Sequence, residues 1–437
     1  MSKKRSGLTK HRRAYCYPQC SPICPSITLA DISTFNGINW LLNQDTTILS
    51  CQTLEIPAGQ ELQTNHFILT NNGTINVRGT IRNAQDTVGS NSITINNGTI
   101  NIFPTGTIVA VDNGGIITNN GVVNNYGDFY CQTDGAINNN AGGQINNYSA
   151  ESGGNGGFRL NARGTFNNYG LFINNTTATI IVIGGGSDGI INNNYGATFV
   201  NYGTITIGVI SNPGGIINNY STLFTNNGTI SISYSGTFNN TWDGSALNNG
   251  PILTNNGNIN ILVASGTLFN GRAILNNNTG GAITNAGTIT NIEAIINNNN
   301  GGTITNNATI NNNASGTINN NTGATINGTG AIFNNDITCI IMNIGTITVT
   351  GGTGGIQNSG TIYVNGGTIN LDLTVGGILN NGTLFVYGGG TITGFATAQI
   401  FNNTTISQAD GSGSCGIGYI TIVSVAGSGI TNNNCPP

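Results

Sequence analysis

From about residue 71 the chain alternates apolar and polar positions in runs of three to five residues, as in Thr74-Ile-Asn-Val77 and Thr99-Ile-Asn-Ile102. A period of two is the mark of a half-buried β-strand. Asn and Gly close each run, and both tolerate the positive φ that tight turns need. The phrase Asn-Asn-Gly-Thr-Ile stands at 71–75, 96–100 and 226–230, with looser copies between.

A longer period encloses the short one. Asn-Asn-Tyr ends at Tyr126, Tyr148, Tyr169, Tyr195 and Tyr220, with gaps of 22, 21, 26 and 25. Asn358, Asn380 and Asn402 are 22 apart, and so are Asn276, Asn298 and Asn320. Units of seven to nine residues nested in one of about 22 imply three short strands per coil. The expected fold is all-β: a single-stranded parallel β-helix, or β-solenoid. Inward Ile, Val, Leu and Phe then stack about 4.8 Å apart as core columns. Corner Asn columns hydrogen-bond along the axis. Residues 71–405 would make roughly 15 coils, a rod about 70 Å long.

The ends break the pattern. Residues 1–30 form a basic, then Cys/Pro-rich arm, where Pro18, Pro22 and Pro25 oppose regular pairing. Residues 31–70 are the least biased stretch and include Trp40, Leu41 and Leu42. A solenoid needs an atypical unit over its first core layer, so 31–70 reads as an N-terminal cap and first rung. Residues 71–405 are the repeat body. Residues 406–437, with the hydrophobic run Gly418-Tyr-Ile-Thr-Ile-Val-Ser-Val425, read as a C-terminal cap or assembly strand.

Composition narrows the function classes. The chain has 77 Asn, 67 Gly, 61 Ile and 58 Thr among 437 residues. So many Ile exclude disorder, which needs low hydrophobicity and high net charge. No apolar run approaches the ~20 residues of a membrane-spanning helix, and no membrane partner is expected. Charged residues are only 6% of the chain. Lys3, Lys4, Arg5, Lys10, Arg12 and Arg13 supply six of the eleven basic residues, and the rest of the chain carries five Arg against fifteen acids. A nucleic-acid groove along the body is therefore not expected. The basic tail is a candidate contact for a polyanion, nucleic acid or an acidic particle layer, against the alternatives of a nuclear address and a merely solvated tail. No apolar segment follows the basic N-terminus, so a conventional signal peptide is not expected.

The segment Leu54-Glu-Ile-Pro-Ala-Gly-Gln-Glu-Leu-Gln-Thr64, followed by Leu69-Thr-Asn-Asn-Gly-Thr-Ile75, resembles the opening of Asn/Gly/Thr-rich β-helix repeat proteins of amoeba-infecting giant viruses of the mimivirus type. The resemblance covers about residues 50–405. It implies a β-solenoid serving as a structural or surface component of a virion assembled in the host cytoplasm. It implies no catalytic residue. The Cys-bearing arm and the basic tail lie outside it.

Candidate sites are few. Of eight cysteines, Cys16, Cys20 and Cys24 lie in the arm and Cys415 and Cys435 near the C-terminus. They are candidates for end-to-end cross-links or disulfide-locked caps, against free thiols without a role. The C-x3-C-x3-C spacing lacks the usual zinc knuckle, and no metal or cofactor is expected. Glycoside hydrolysis needs paired carboxylates, but the acids are scattered; Asp128 and Asp134 straddle Cys131 six residues apart. Only His11 and His66 are available as imidazole bases, so no enzyme is expected. Sequons such as those at Asn72, Asn97 and Asn381 arise by default from the composition. Thr-x-Thr pairs at 204/206, 288/290, 303/305, 346/348 and 391/393 are not spaced one per coil, so surface β-propensity accounts for them better than an ice-binding array. Tyr126, Tyr148, Tyr169, Tyr195 and Tyr220 are expected to form one aromatic ladder at a corner, with a carbohydrate-stacking strip as the alternative. The leading expectation is a non-enzymatic virion surface or fibre rod that assembles with itself and with other virion proteins. The alternative is a glycan-binding attachment module.

Overall fold

A computed structural model describes residues 24–83, 92–110, 114–149, 157–184, 187–209, 214–221, 223–242, 250–350, 355–372, 377–394, 399–403, 405–408, 419–421, 424–427 and 430–432. Three parallel sheets wind around one core, each coil contributing one strand to each sheet. The first coil places Trp40–Leu42 in sheet 1, Thr46–Ile48 in sheet 2 and Thr53–Ile56 in sheet 3. Among the described residues, sheets 2 and 3 each contain seventeen strands, so at about 4.8 Å per strand the solenoid is roughly 75 Å long. Coils average about 22 residues with three strands each. Among the described residues, no helix is long and apolar enough to cross a membrane.

The period-two pattern explains each strand. Thr99–Ile102 and Thr229–Ile232 alternate outward, half-buried residues with inward, buried ones. Successive coils hold strict register, so Ile205, Ile230 and Ile259 stack in one inward column. A cluster of phenylalanines fills the core between residues 129 and 238. In sheet 3, Phe172, Phe199 and Phe224 stack with centroids 4.8 and 4.6 Å apart.

The fourth position of most strands in sheets 2 and 3 is a buried Asn. In sheet 2 an unbroken column runs from Asn71 through Asn193 and Asn291 to Asn402, with each amide nitrogen donating to the next carboxamide oxygen at 2.7–3.0 Å. In sheet 3 a second column runs from Asn125 to Asn343 at 2.7–2.9 Å. Asn291 shows the pattern. Its Nδ2 donates to Asn312 Oδ1 at 2.8 Å and to the carbonyls of Ala294 and Thr317 at 2.9 and 3.2 Å. Its Oδ1 accepts from Asn270 at 2.8 Å. Burying a carboxamide is tolerable only when its donors and acceptor are used in this way.

The corner turns admit no larger residue at some positions. A Cβ on Gly121 would collide with the carbonyl oxygen of Gly98, and one on Gly98 with that of Gly73. These glycines let successive coils approach at strand spacing.

Coil strands reach into both end segments. Regular coils begin at Trp40, well before the first Asn-Asn-Gly-Thr-Ile phrase. The cap over them is short: helix Leu29–Ile32 buries Leu29 and Ile32, and Ser33–Phe35 pairs antiparallel with Trp40–Leu42. Thr28 closes the helix start by donating its amide and hydroxyl to Asp31 Oδ2 at 2.8 and 2.7 Å. At the other end the run around Gly418–Val425 is not one strand. Tyr419–Thr421 extends sheet 1, Ser424–Gly427 sheet 2 and Ile430–Asn432 sheet 3, all parallel.

Asn291→Ala is expected to leave the neighbouring amides of Asn270 and Asn312 without their column partner, at a cost of about 2–4 kcal/mol. Asn278→Ala, at a half-buried corner outside the column, should cost far less. Chemical denaturation of both variants checks this, and equal losses would show that the buried column carries no special weight.

Candidate functional site

The sequence-derived candidates separate when placed on the coils. Lys3, Lys4, Arg5, Lys10, Arg12, Arg13, Cys16, Cys20, Cys415 and Cys435 lie outside the described residues. Cys24 is bonded to Cys51, which tethers the segment before the first helix to the first coil. For Cys24 this is a lock on the N-terminal cap, not an end-to-end link. Cys131 and Cys339 are free and buried. Burial pushes the Cys131 thiol up to about 12, which leaves it protonated and unreactive.

The five-tyrosine ladder is corrected. Tyr126 and Tyr148 follow sheet 3 strands and stack on each other, with centroids 4.6 Å apart and planes 7° from parallel. Tyr169, Tyr195 and Tyr220 follow sheet 2 strands, at another corner. The phrase Asn-Asn-x ends strands of both sheets, and the long connection after Tyr148 makes a 21-residue gap look like one coil. The first corner column also holds Arg78, whose guanidinium lies 4.0 Å from the Phe103 ring centroid. Further along it becomes surface asparagines, exposed at Asn256 and half-buried at Asn278, Asn299 and Asn321, bonded in series at 2.9–3.0 Å. Asn276 likewise falls outside the series read from spacing. It faces outward, and Asn277 occupies the buried column with Asn298 and Asn320. The sequon residues Asn72 and Asn97 bond to each other at the sheet 2 to sheet 3 corner, as Asn381 does to Asn403. Four of the five Thr-x-Thr pairs share the outer face of sheet 1; only Thr288/Thr290 lies on sheet 2.

Charge is concentrated in a way the sequence did not show. Among the described residues, each of the four ion pairs joins neighbouring coils: Glu55–Arg78, Glu61–Arg82, Asp134–Arg163 and Arg272–Glu293, at 2.6–2.9 Å. The remaining arginine of the body, Arg159, stands beside Asp128 on sheet 1. Register fixes this arrangement. Asp128 pairs across to Thr107 and Gly157, and Tyr130 pairs across to Val109 and Arg159. With Gln132 and Asn161 just beyond the strand ends, these side chains line a cavity of about 230 Å³. Val109 and Ile181, at outward positions on either side, are nonetheless buried, so this part of sheet 1 is recessed. Asn161 Oδ1 is buried without a partner at the pocket's edge.

Partial burial raises the Asp128 pKa above its ordinary 3.8, opposed by the positive field of Arg159 and a hydrogen bond from the Gly157 amide. Burial likewise raises the Tyr130 phenol, and Arg82, Asp128, Glu61 and Arg159 all act on it. Glu61 and Arg82 therefore belong to the same charged cluster. The pocket presents one carboxylate, whereas glycoside hydrolysis needs two. Its combination of carboxylate, guanidinium, carboxamides, phenol and hydroxyl can donate to and accept from a polar ligand. Among the described residues, no three His, Cys, Asp or Glu side chains converge to hold a metal.

No protein-family model matches the chain, and no curated protein matches it. Among solved structures it is similar to a TibC-catalysed hyper-glycosylated TibA fragment, at 16% identity and a TM-score of 0.29, over 82% of this chain and all of that one. So low a score leaves the fold to be read from the chain's own strands.

Two outcomes follow from this geometry. Because the folded Asp128 pKa is raised, the native state holds its proton more readily than the unfolded state. Stability contributed by this group is full below the ordinary 3.8 and falls as pH rises through the raised value. Asp128→Asn should therefore match or exceed the parent melting temperature at pH 7, with the difference vanishing below about pH 3.8. Thermal melts across that window check the sign. Cys51→Ser opens a link between residues 27 apart and should cost about 3 kcal/mol. The unaltered protein should then melt lower in reductant, and a melt unchanged by reductant would deny the Cys24–Cys51 bond.

Proposed function

We propose that this chain is a non-enzymatic structural rod, a surface or fibre component of a virus particle that assembles with copies of itself and with other virion proteins. The observation that carries this reading is the unbroken buried asparagine column from Asn71 to Asn402, which ties the coils into one stiff body. Much of the rest of the chain is spent on stiffness: strict register, stacked ion pairs and a continuous core. The resemblance of residues 54–64 and 69–75 to giant-virus repeat proteins supports the placement in a virion. The six cations of the N-terminal tail would serve as an anchor to an anionic partner, nucleic acid or an acidic layer of the particle.

Assembly is better served sideways than end to end. At the N-terminal end the antiparallel strand Ser33–Phe35 occupies the sheet 1 edge that a second rod would need, and the helix packs beside it. The outward first positions of sheet 3 hold a run of apolar residues, Leu223, Ile252, Ile274 and Ile295, with Leu171 and Ile340 beyond it across Thr198 and Thr317. Leu223 is 51% exposed and Ile295 37%. Extended apolar surface of this kind marks association sites. A second reading, an attachment module that grips a glycan, is favoured by the recessed polar pocket on sheet 1.

The test is particle composition. Mass spectrometry of purified particles should find the chain abundant, and electron microscopy of the isolated protein should show rods of roughly 75 Å. Leu223→Lys combined with Ile274→Lys should return laterally associated rods to single ones, while deletion of residues 2–13 should lower incorporation. Absence from particles would end the virion reading. Association unaltered by the two lysines would move the contact away from sheet 3.

A further inference from the structure

We infer that the pocket lined by Thr107, Asp128, Tyr130, Gln132, Arg159 and Asn161 binds a single neutral sugar unit through vicinal hydroxyl groups. The inference rests on the attachment reading and narrows it to one site and one ligand class. The first argument is concentration of charge. Only 6% of the chain is charged, yet Glu61, Arg82, Asp128 and Arg159 gather on the outer face of sheet 1. Elsewhere that face presents mainly Thr, Ser and Asn, as at Thr204/Thr206, Thr229/Ser231 and Thr303/Thr305.

The second argument is electrical balance. Two acids and two arginines cancel, so the cluster draws no net ion. It offers instead strong acceptors and donors a few ångströms apart, which suits hydroxyl pairs. A carboxylate accepts from two adjacent hydroxyls while a guanidinium and carboxamides donate to their oxygens. An anionic ligand would gain little from Arg159 with Asp128 beside it.

The third argument is size and state. The cavity, about 230 Å³, lies below the roughly 300–1,000 Å³ of sites for drug-sized ligands. That leaves room for one ring, with the rest of a glycan outside. Asp128 is partly desolvated, and Asn161 Oδ1 is a buried acceptor at the edge without a protein donor. A sugar hydroxyl would supply that donor. The Tyr126 and Tyr148 rings, by contrast, stack on each other with no gap for a sugar between them.

The experiment uses the full chain. Neutral hexoses (glucose, galactose, mannose), with glucuronate as the charged comparison, are titrated by ligand-observed NMR, and a glycan array is read in parallel. One neutral hexose should bind with a Kd on the order of 1 mM, the scale of a few hydrogen bonds. Asp128→Asn and Arg159→Gln should each weaken it about tenfold or more, with far-UV spectra unchanged. The remote Thr348→Val should bind as the parent does. Array binding that survives Asp128→Asn and Arg159→Gln would overturn this pocket while leaving attachment standing. Absence of binding to every glycan would overturn both. Preference for glucuronate over the hexoses would overturn the neutral assignment.

Discussion

Register between coils is the constraint on which everything else depends. A solenoid has no second layer to hold it together. Each coil is held only by the one before and the one after. A one-residue slip would turn every inward Ile outward. A two-residue slip would keep the same face inward, and the buried carboxamides make that one expensive. An Asn moved off its column in this way would lose its partners on both neighbouring coils while staying in an apolar core, where unpaired polar groups are costly. The two columns do not coincide in extent. That of sheet 2 spans Asn71 to Asn402, while that of sheet 3 gives way to Ile56, Val77 and Ile102 at one end and to Val364 and Val386 at the other. Sheet 2 is therefore the spine that sets register over most of the length.

That device explains the composition. Thr and Ile meet the needs of a strand with one face in the core and one in water. Asn meets the needs of the buried corner, Gly those of the turn where coils nearly touch. Four residue types suffice because every coil poses the same problem. Charge is not needed for the fold and is nearly absent. Where it occurs it stacks between coils, as Glu55 does with Arg78 and Arg272 with Glu293. Exposed pairs of this kind contribute little stability.

The regularity governs what could be read from the sequence. The parallel β-helix, its three strands per coil and the axial asparagine columns were all legible, because each rests on a local pattern repeated many times. Corner assignment was not. Tyr148 and Tyr169 are 21 residues apart, yet they end strands of different sheets, because a long connection lies between them. The same ambiguity put Asn276 in a series that belongs to Asn277. The pocket was hidden for a related reason. Asp128, Tyr130 and Arg159 share no motif, and only coil-by-coil register shows that Tyr130 faces Arg159. Asp128 was noted in the sequence only beside Asp134, which instead pairs with Arg163. The partner of Cys24 was not legible either, because the folding back of residues 24–32 over the first coil leaves no local signal that would single out Cys51.

A structure so repetitive restricts where specific chemistry can reside. Inward positions are committed to packing, and fourth positions in two sheets are committed to the columns. What remains free is the outward first and third position of each strand and the connections between strands. A binding site must therefore be assembled across coils, from residues about 20 to 30 apart in sequence and one strand apart in space. Tyr130 and Arg159 meet that condition, as do Asp128 and Thr107. Sheet 1 is also the sheet with the weakest claim to a buried Asn column. Its fourth positions are Ala110, Cys131, Leu160 and Val182 across the pocket coils, with Asn among the described strands only at Asn83, one coil before them, and at Asn285 and Asn306. The corner after sheet 1 is thus released from the axial ladder where the pocket lies. A coil freed from the carboxamide constraint can hold its place by apolar packing alone, with Phe129 against Phe158 at 5.4 Å beneath the pocket strands. That leaves its outer residues free to diverge from the repeat, and it is there that the charged residues of sheet 1 gather.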